Sequence, residues 1–477
     1  MAATPAGGPA GLLDAGAGPS GFGTVDGRPV ALVALEGSSS ARDQERAAAL
    51  VDRAGAERTP VVGWFGDLDP GEDPGPGPTL LLGAWARAGA VLRIVVVTGS
   101  VGGPAAFAAA AADLVIMVDG SRLWASPPAT VALATGDALD ADALAGARTH
   151  ATLTGLAHRV PDQDAAVALV RELIAVTTNA DAPPPPDPDP DEPLPPAGTD
   201  GRATLAALLD DATLVELRPD HAAAVITGFG RIDGRAVGAI ASDPAHRGGA
   251  LDLDALGTTT RFLRLCDRLG LPVISSVDSV GLVPEAREEW GGIVRAAAEL
   301  ATAHATATVP RVTVITATAE GPAAALLGGV GLGARVLDRS DDPTTAETRA
   351  MIIDALAAGP GPGSDRTGVL APPGGPPAPA PATPPPATPA PAAQAAATQV
   401  AAAGPVAVRG HPDDAELAAL ITVLAATRSG EPVDDSAGDT RDHPPGHDPG
   451  HTAGPDGWSR HWRRAVTGAR PSTTDEG

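Results

Sequence analysis

Tyrosine is missing from this chain, and all aromatic residues together make up 2% of it. An interior with so few rings must be packed from small aliphatic side chains, which suits tightly layered helices and strands. Cysteine is nearly missing too. The one present, Cys266, excludes a disulfide framework and a Cys-rich zinc site and is consistent with a reducing compartment. It falls in an apolar helical pattern and reads as a packing residue. No apolar run reaches the ~18 residues a membrane span needs, and the N-terminus lacks a basic start followed by an apolar core. The expectation is a soluble, cytoplasmic protein. Positive charge is scarce as well: 33 Lys and Arg against 58 Asp and Glu leave a formal charge of -25, which argues against nucleic acid or an anionic membrane as partner.

What is present is length, small apolar residues and punctuation. The 477 residues exceed one ordinary domain, and the 50 prolines and 58 glycines cluster at boundaries. Gly21 to Leu32 reads GFGTVDGRPVAL, and Gly228 to Ile240 reads GFGRIDGRAVGAI. A repeat roughly 200 residues apart means two copies of a domain. Each copy opens with a β-hairpin signature around an Asp-Gly turn, Asp26-Gly27 and Asp233-Gly234. Apolar runs at Val61 to Trp64, Ile94 to Thr98 and Leu114 to Val118, then at Val273 to Val277 and Val312 to Thr316, read as buried strands. Helical patterns lie between them, so crossovers and parallel strands follow. A Pro-Asp stretch from Pro183 to Pro196 separates the copies, and a Pro-Ala tract from Pro372 to Pro391 precedes a tail with one amphipathic helix on Leu417, Leu420, Ile421 and Leu424.

Two glycine turns follow corresponding strands: Gly99-Ser-Val-Gly102-Gly103-Pro104-Ala105 and Glu320-Gly321-Pro322-Ala323. A strand, a glycine turn and a helix start together present free N–H groups to an anion, as an enolate or thioester oxyanion requires. The same glycines also suit a plain tight turn, and sequence pattern leaves both readings open.

These turns resemble those of the carboxyltransferase (beta) subunits of biotin-dependent acyl-CoA carboxylases, of the acetyl- and propionyl-CoA type. Gly99 to Asp119 (GSVGGPAAFAAAAADLVIMVD) and Gly146 to Val160 are similar to that family's first oxyanion loop and its downstream segment; Gly248 to Asp254, Phe262 to Asp267, Val277 to Arg295 and Ala307 to Thr316 match in order and spacing. Pro405 to Arg428 resembles the epsilon subunit of some of these complexes. The resemblance implies an α/β fold of tandem crotonase-like units with a disordered Pro/Ala-rich linker and a C-terminal helical tail. Its divisions are a flexible 1–20, a first unit at 21–180, a linker at 181–200, a second unit at 201–360, a linker at 361–404 and a tail at 405–477.

The resemblance further implies transfer of a carboxyl group from carboxybiotin, carried by a biotin-carboxylase and biotin-carrier partner subunit, to the α-carbon of an acyl-CoA. It implies a homo-oligomer or mixed oligomer with the site formed across a dimer interface. Gly102, Gly103, Gly321 and Ala323 then map to the oxyanion holes. Pro104, Ala105, Pro322 and Ala325 map beside the substrate; Arg148 and His150, with His158 and Arg159, form a small basic cluster near an expected helix start that suits either a CoA phosphate or, more commonly, a plain solvated surface. Two departures stand out: Pro104 and Pro322 replace family glycines and have no N–H to donate. They favour a second reading, a non-catalytic paralogue that serves as a structural or assembly subunit. A crotonase-type hydratase needs positioned glutamates, and Glu320 is the only acidic residue in place. No metal site is expected. His443, His447 and His451 recur every four residues, but the prolines and glycines between them forbid a helix. No GxxxxGK[ST] loop exists, so ATP use falls to the partner.

Overall fold

A computed structural model describes residues 8–14, 20–37, 39–68, 77–136, 140–178, 191–196, 198–210, 213–319, 321–338 and 344–359. Glu320, most of Asp67 to Pro78, the Pro-Ala tract, the 405–428 segment and the three tail histidines lie outside the described residues.

In the first half the strands follow in chain order as β1 (Ser20–Val25), β2 (Arg28–Leu35), β3 (Val61–Phe65), β4 (Arg93–Val97), β5 (Ser100–Gly102), β6 (Leu114–Val118), β7 (Arg122–Trp124) and β8 (Ala157–Val160). Six of them form one sheet in the order β1-β2-β3-β4-β6-β8, antiparallel only at the β1-β2 hairpin. β5 and β7 make a separate parallel pair. The second half supplies β9 (Val215–Glu216), β10 (Val225–Ile232), β11 (Arg235–Ser242), β12 (Val273–Ser279), β13 (Arg311–Ala319) and β14 (Arg335–Asp338), in the sheet order β14-β13-β12-β11-β10-β9. Its hairpin is β10-β11, and β11 to β14 are parallel. Each sheet thus runs outward from an antiparallel hairpin into parallel strands, as expected from the repeated GFG…DG segments.

The turns explain the register. Asp26 and Gly27 have φ of 48° and 74°, and Asp233 and Gly234 have 51° and 70°. Both central residues in the left-handed region define the type I′ turn that matches the natural twist of a hairpin. Each turn is fastened from outside. Asp14 accepts hydrogen bonds from the Asp26 and Gly27 amides at 2.9 and 2.8 Å, and Asp210 accepts from Asp233 and Gly234 at 3.0 and 2.8 Å. The two aspartates end equivalent segments, Leu12-Leu13-Asp14 and Leu208-Leu209-Asp210. Leu13 and Leu209 lie over Gly23 and Gly230, where an added Cβ would sit 3.0 and 2.5 Å from a leucine methyl. Residues 8–14, assigned by sequence to a flexible terminus, form a helix at Pro9–Leu12 and clamp the first hairpin. The stretch ending at Pro196 also packs: Leu194 is buried, Pro193 bridges to Thr344 and the Thr345 amide donates to Glu192 O.

Alternation along the strands feeds three cores. Val30, Leu32, Ile94 and Val96 point inward to a central core that also takes in Phe229, Ile240, Val273 and Val277 of the second half. Ala31, Val33, Val95 and Val97 point the other way, against the helices Ala41–Ala56, Gly77–Arg87 and Gly103–Ala110. On the far side of the second sheet Val237, Ala239, Ile274 and Val312 meet the helices Gly201–Leu208 and Thr345–Ala357. The central core is shared, so each buried Val or Leu in it, worth about 1.5–3 kcal/mol, also holds the halves together. Cys266 is buried there beneath Gly238, and burial pushes its thiol pKa up, as a packing residue requires. No described helix is long and apolar enough to cross a membrane.

Candidate functional site

The first turn hangs from β4. Beyond Val97 the chain pairs with residues 65–68: the Thr98 amide donates to Phe65 O at 2.8 Å, the Leu68 amide to Ser100 O at 2.8 Å and the Ser100 amide to Asp67 Oδ1 at 2.7 Å. The Gly102 amide donates to Leu68 O at 3.3 Å. Gly102, mapped by sequence to the oxyanion hole, thus has a carbonyl acceptor for its amide within the chain. Its role is room. A Cβ on Gly102 would lie 2.5 Å from Trp124 Nε1, so the indole edge of β7 covers this strand end. Gly103 then turns the chain with φ 56°, and the helix Gly103–Ala110 begins with Pro104 in its first turn and Ala105 and Ala106 buried beneath. Among the described residues nothing accepts the Gly103 or Ala105 amide. Proline costs the helix nothing at this position, because the N–H there has no intrahelical partner in any case.

The second turn repeats the device. β13 ends at Ala319, Gly321 has φ 54°, Pro322 follows at φ -80°, and the helix Ala323–Gly328 begins. Ala323 is fully buried and Ala325 half-buried, while Gly321 and Pro322 are exposed. A Cβ on Gly321 would meet no atom within 4 Å, so the turn is open on that side. The helix is pinned from below by the buried His304, whose Nε2 lies 3.0 Å from Leu326 O, and by Thr313, which donates to Gly328 O. Burial, and then the Arg311 cation, lower the His304 pKa to about 4. The imidazole is neutral at pH 7, and because a carbonyl only accepts, its proton sits on Nε2; Nδ1 then accepts from Arg311 Nη1 at 3.4 Å.

The members of the expected basic cluster lie on the helix Ala147–Thr152 and on β8, which pack together, and most of them have partners within the chain. His150 uses Nε2 on Leu123 O at 2.7 Å and has Nδ1 3.1 Å from Thr154 Oγ1, so it fastens the helix Ala147–Thr152 to β7. His158 is held near pKa 4 by burial and by the Arg218 cation, and Arg159 is paired with Asp119 at 2.5 Å. Arg148 alone is exposed without an ion pair among the described residues. The glycine-proline turns line neither the cavity around Arg218 and Arg261 nor the one beside Ser20 and Glu36. Trp124 and His304, which shape the two turns, carry no spacing signal in the sequence, because their contacts arise only in the folded chain.

Two sheets of matching order, each delivering a left-handed glycine, a proline and a short Ala-rich helix, agree with a match to the carboxyl transferase domain over residues 20–353. The chain belongs to the carboxyl transferase domain family. Among similar members, the propionyl-CoA carboxylase beta chain of Saccharopolyspora erythraea is 32% identical over 354 residues, which is 66% of this chain and 64% of the relative. The methylmalonyl-CoA decarboxylase subunit alpha of Veillonella parvula is 32% identical over 52% of each chain. The chain thus spans less than two thirds of the length of these carboxyl transferase relatives. In three dimensions it is similar to the hexameric transcarboxylase 12S, with a TM-score of 0.64 at 24% identity over 71% of this chain and 81% of that one. That likeness establishes the crotonase-like α/β fold.

Proposed function

We propose that the chain is the carboxyltransferase component of a biotin-dependent acyl-CoA carboxylase. The observation that carries this reading is the recurrence of one turn at equivalent places in the two sheets, Gly103-Pro104-Ala105 and Gly321-Pro322-Ala323, with left-handed glycines at 56° and 54°. Carboxybiotin on a partner subunit would supply the carboxyl group. The chain's own contribution is charge stabilisation: the Gly103 and Ala105 amides at one turn, and those of Gly321 and Ala323 at the other, would face the oxygens that become negative, the ureido oxygen as the carboxyl group departs from biotin and the thioester oxygen as the α-proton leaves the acyl-CoA. The proposal places a complete site between copies, the first turn of one facing the second turn of another. The 405–428 segment belongs to the same proposal as a docking element for the biotin-bearing subunit.

The second reading, a structural paralogue, rests on Pro104 and Pro322, which leave each turn one N–H short. A carboxylation assay with a biotinylated partner and acetyl-, propionyl- and longer acyl-CoA separates the two. Acyl-CoA-dependent turnover is the expected outcome; its absence with every acyl chain, in a complex shown to assemble, establishes the structural role instead.

A further inference from the structure

Between the halves lies a cavity of about 330 Å³ whose wall carries five guanidinium groups and one carboxylate. The first half contributes Arg93 and Asp113, and the second contributes Arg218, Arg261, Arg264 and Arg268. Such an excess of cations is the reverse of a chain whose formal charge is -25.

The single carboxylate is already saturated. Arg93 donates to Asp113 through Nη2 at 2.6 Å and Nε at 3.2 Å, and Arg268 Nη2 lies 2.6 Å from Asp113 Oδ1. Three guanidinium groups are left, and among the described residues none of them has an ion pair. Arg218 donates to Leu156 O at 3.2 Å and Asp113 O at 2.9 Å, which positions the group without neutralising it. Its backbone is held at φ 51°, a region that side-chain-bearing residues seldom occupy. Burial, and then the like charge of Arg261, lower its pKa to about 10. Arg261 has only a long hydrogen bond to Thr258 Oγ1 at 3.4 Å; Asp254 acts on it from a distance. Arg264, one helical turn further along Leu253–Leu269, is exposed. Cations crowded in this way lower one another's stability unless an anion completes the set.

We propose that this cavity is a binding site for a small phosphate-bearing anion with at least two negative charges. Guanidinium forks match phosphoryl oxygens in geometry and charge. Arg218 approaches from a loop, and Arg261 and Arg264 from a helix, so the ligand must offer oxygens in several directions. A tetrahedral phosphoryl group does this and a planar carboxylate does not. The volume is at the lower end for ligand pockets, about 300–1,000 Å³, and the acidic chain around it repels an extended polyanion. The three guanidinium groups left for the ligand all belong to the second half, and Arg218 among them is held in place by carbonyls of the first half.

The test uses the full chain at fixed ionic strength, with calorimetric titration and thermal unfolding against inorganic pyrophosphate, inorganic phosphate, adenosine 3′,5′-bisphosphate and malonate. The expected result is saturable 1:1 binding of pyrophosphate with a rise in Tm, and at least a tenfold loss of affinity in the Arg261→Gln, Arg264→Gln double variant. Those two side chains are exposed and without an ion pair among the described residues, so the ligand-free variant should melt no lower than the parent, and higher where like-charge repulsion with Arg218 is relieved. Tighter binding of the bisphosphate than of pyrophosphate identifies a nucleotide as the phosphate source, and the reverse order identifies a free phosphate. No saturable phosphate binding, unchanged affinity in the double variant, or malonate binding as tightly as pyrophosphate overturns the proposal.

Discussion

Arg349 Nη2 lies 2.6 Å from Asp210 Oδ1, on the same carboxylate that holds the Asp233-Gly234 turn of the second hairpin. The first half has a looser version, in which Arg171 reaches Asp26 from the helix Gln163–Thr177. The side chains of Arg349 and Asp210 are 9% and 5% exposed, against 28% and 49% for Arg171 and Asp26. Removing one partner of a buried pair strands the other charge, at a cost of about 3–5 kcal/mol, while an exposed pair contributes about 0–1 kcal/mol. Arg349→Met should therefore lower the unfolding free energy several times more than Arg171→Met, as measured by urea denaturation. Equal losses would show that burial does not set the difference.

Gly102 and Trp124 make a second, paired prediction. Gly102→Ala would drive a methyl group into the indole edge, a clash of the kind that costs about 1–3 kcal/mol. Adding Trp124→Ala should recover part of that loss, so the double variant should be more stable than the sum of the single effects. Strict additivity in a thermal or denaturant cycle would mean the two residues do not press on each other.

The prolines test the oxyanion reading directly. Pro104→Gly and Pro322→Gly each restore an N–H, and a restored oxyanion donor is worth up to about 10² to 10³ in rate. Carboxyltransferase activity should rise in each variant, in kcat more than in KM. Variants that match the parent, whether equally active or equally dead, would show that the missing amides do not govern this protein.

His304 and His158 give the pH dependence. Both have folded pKa values near 4 against an ordinary 6.5, so both are neutral in the fold and take up protons on unfolding. Their stabilisation is fully present above pH 6.5 and is lost as pH falls toward 4, with a slope of up to about 1.4 kcal/mol per pH unit for each histidine. Between pH 6.5 and 5, before most carboxylates titrate, His304→Gln should flatten the fall in stability measured by denaturant titration. An unchanged slope would place the proton uptake elsewhere.

The hairpins and parallel strands were legible because turn chemistry and two-residue alternation are local: Asp26-Gly27 and Asp233-Gly234 announce themselves within a few residues. The Leu-Leu-Asp repeat that clamps those hairpins is just as local, yet three residues are too few to stand out beside a stronger motif. β5 and β7 escaped because three-residue strands have no period. The engagement of the Gly102 amide was illegible for a different reason, since its acceptor, Leu68, comes from another strand end. The arginine cavity draws on residues from 93 to 268, so its charge is gathered from separate parts of the chain. A charge total hides such a pocket.

The halves meet through arginines that all point one way. Arg218 reaches Asp113 O and Leu156 O, Arg231 reaches Ala175 O and Thr178 O, and Arg268 reaches Gly89 O and Val91 O. In every case the second half donates and the first half accepts. A seam with this polarity cannot be self-complementary: two first halves would oppose carbonyl to carbonyl, and two second halves cation to cation. Although they repeat one another, the halves have become lock and key, and if expressed as separate fragments they should seek each other rather than themselves.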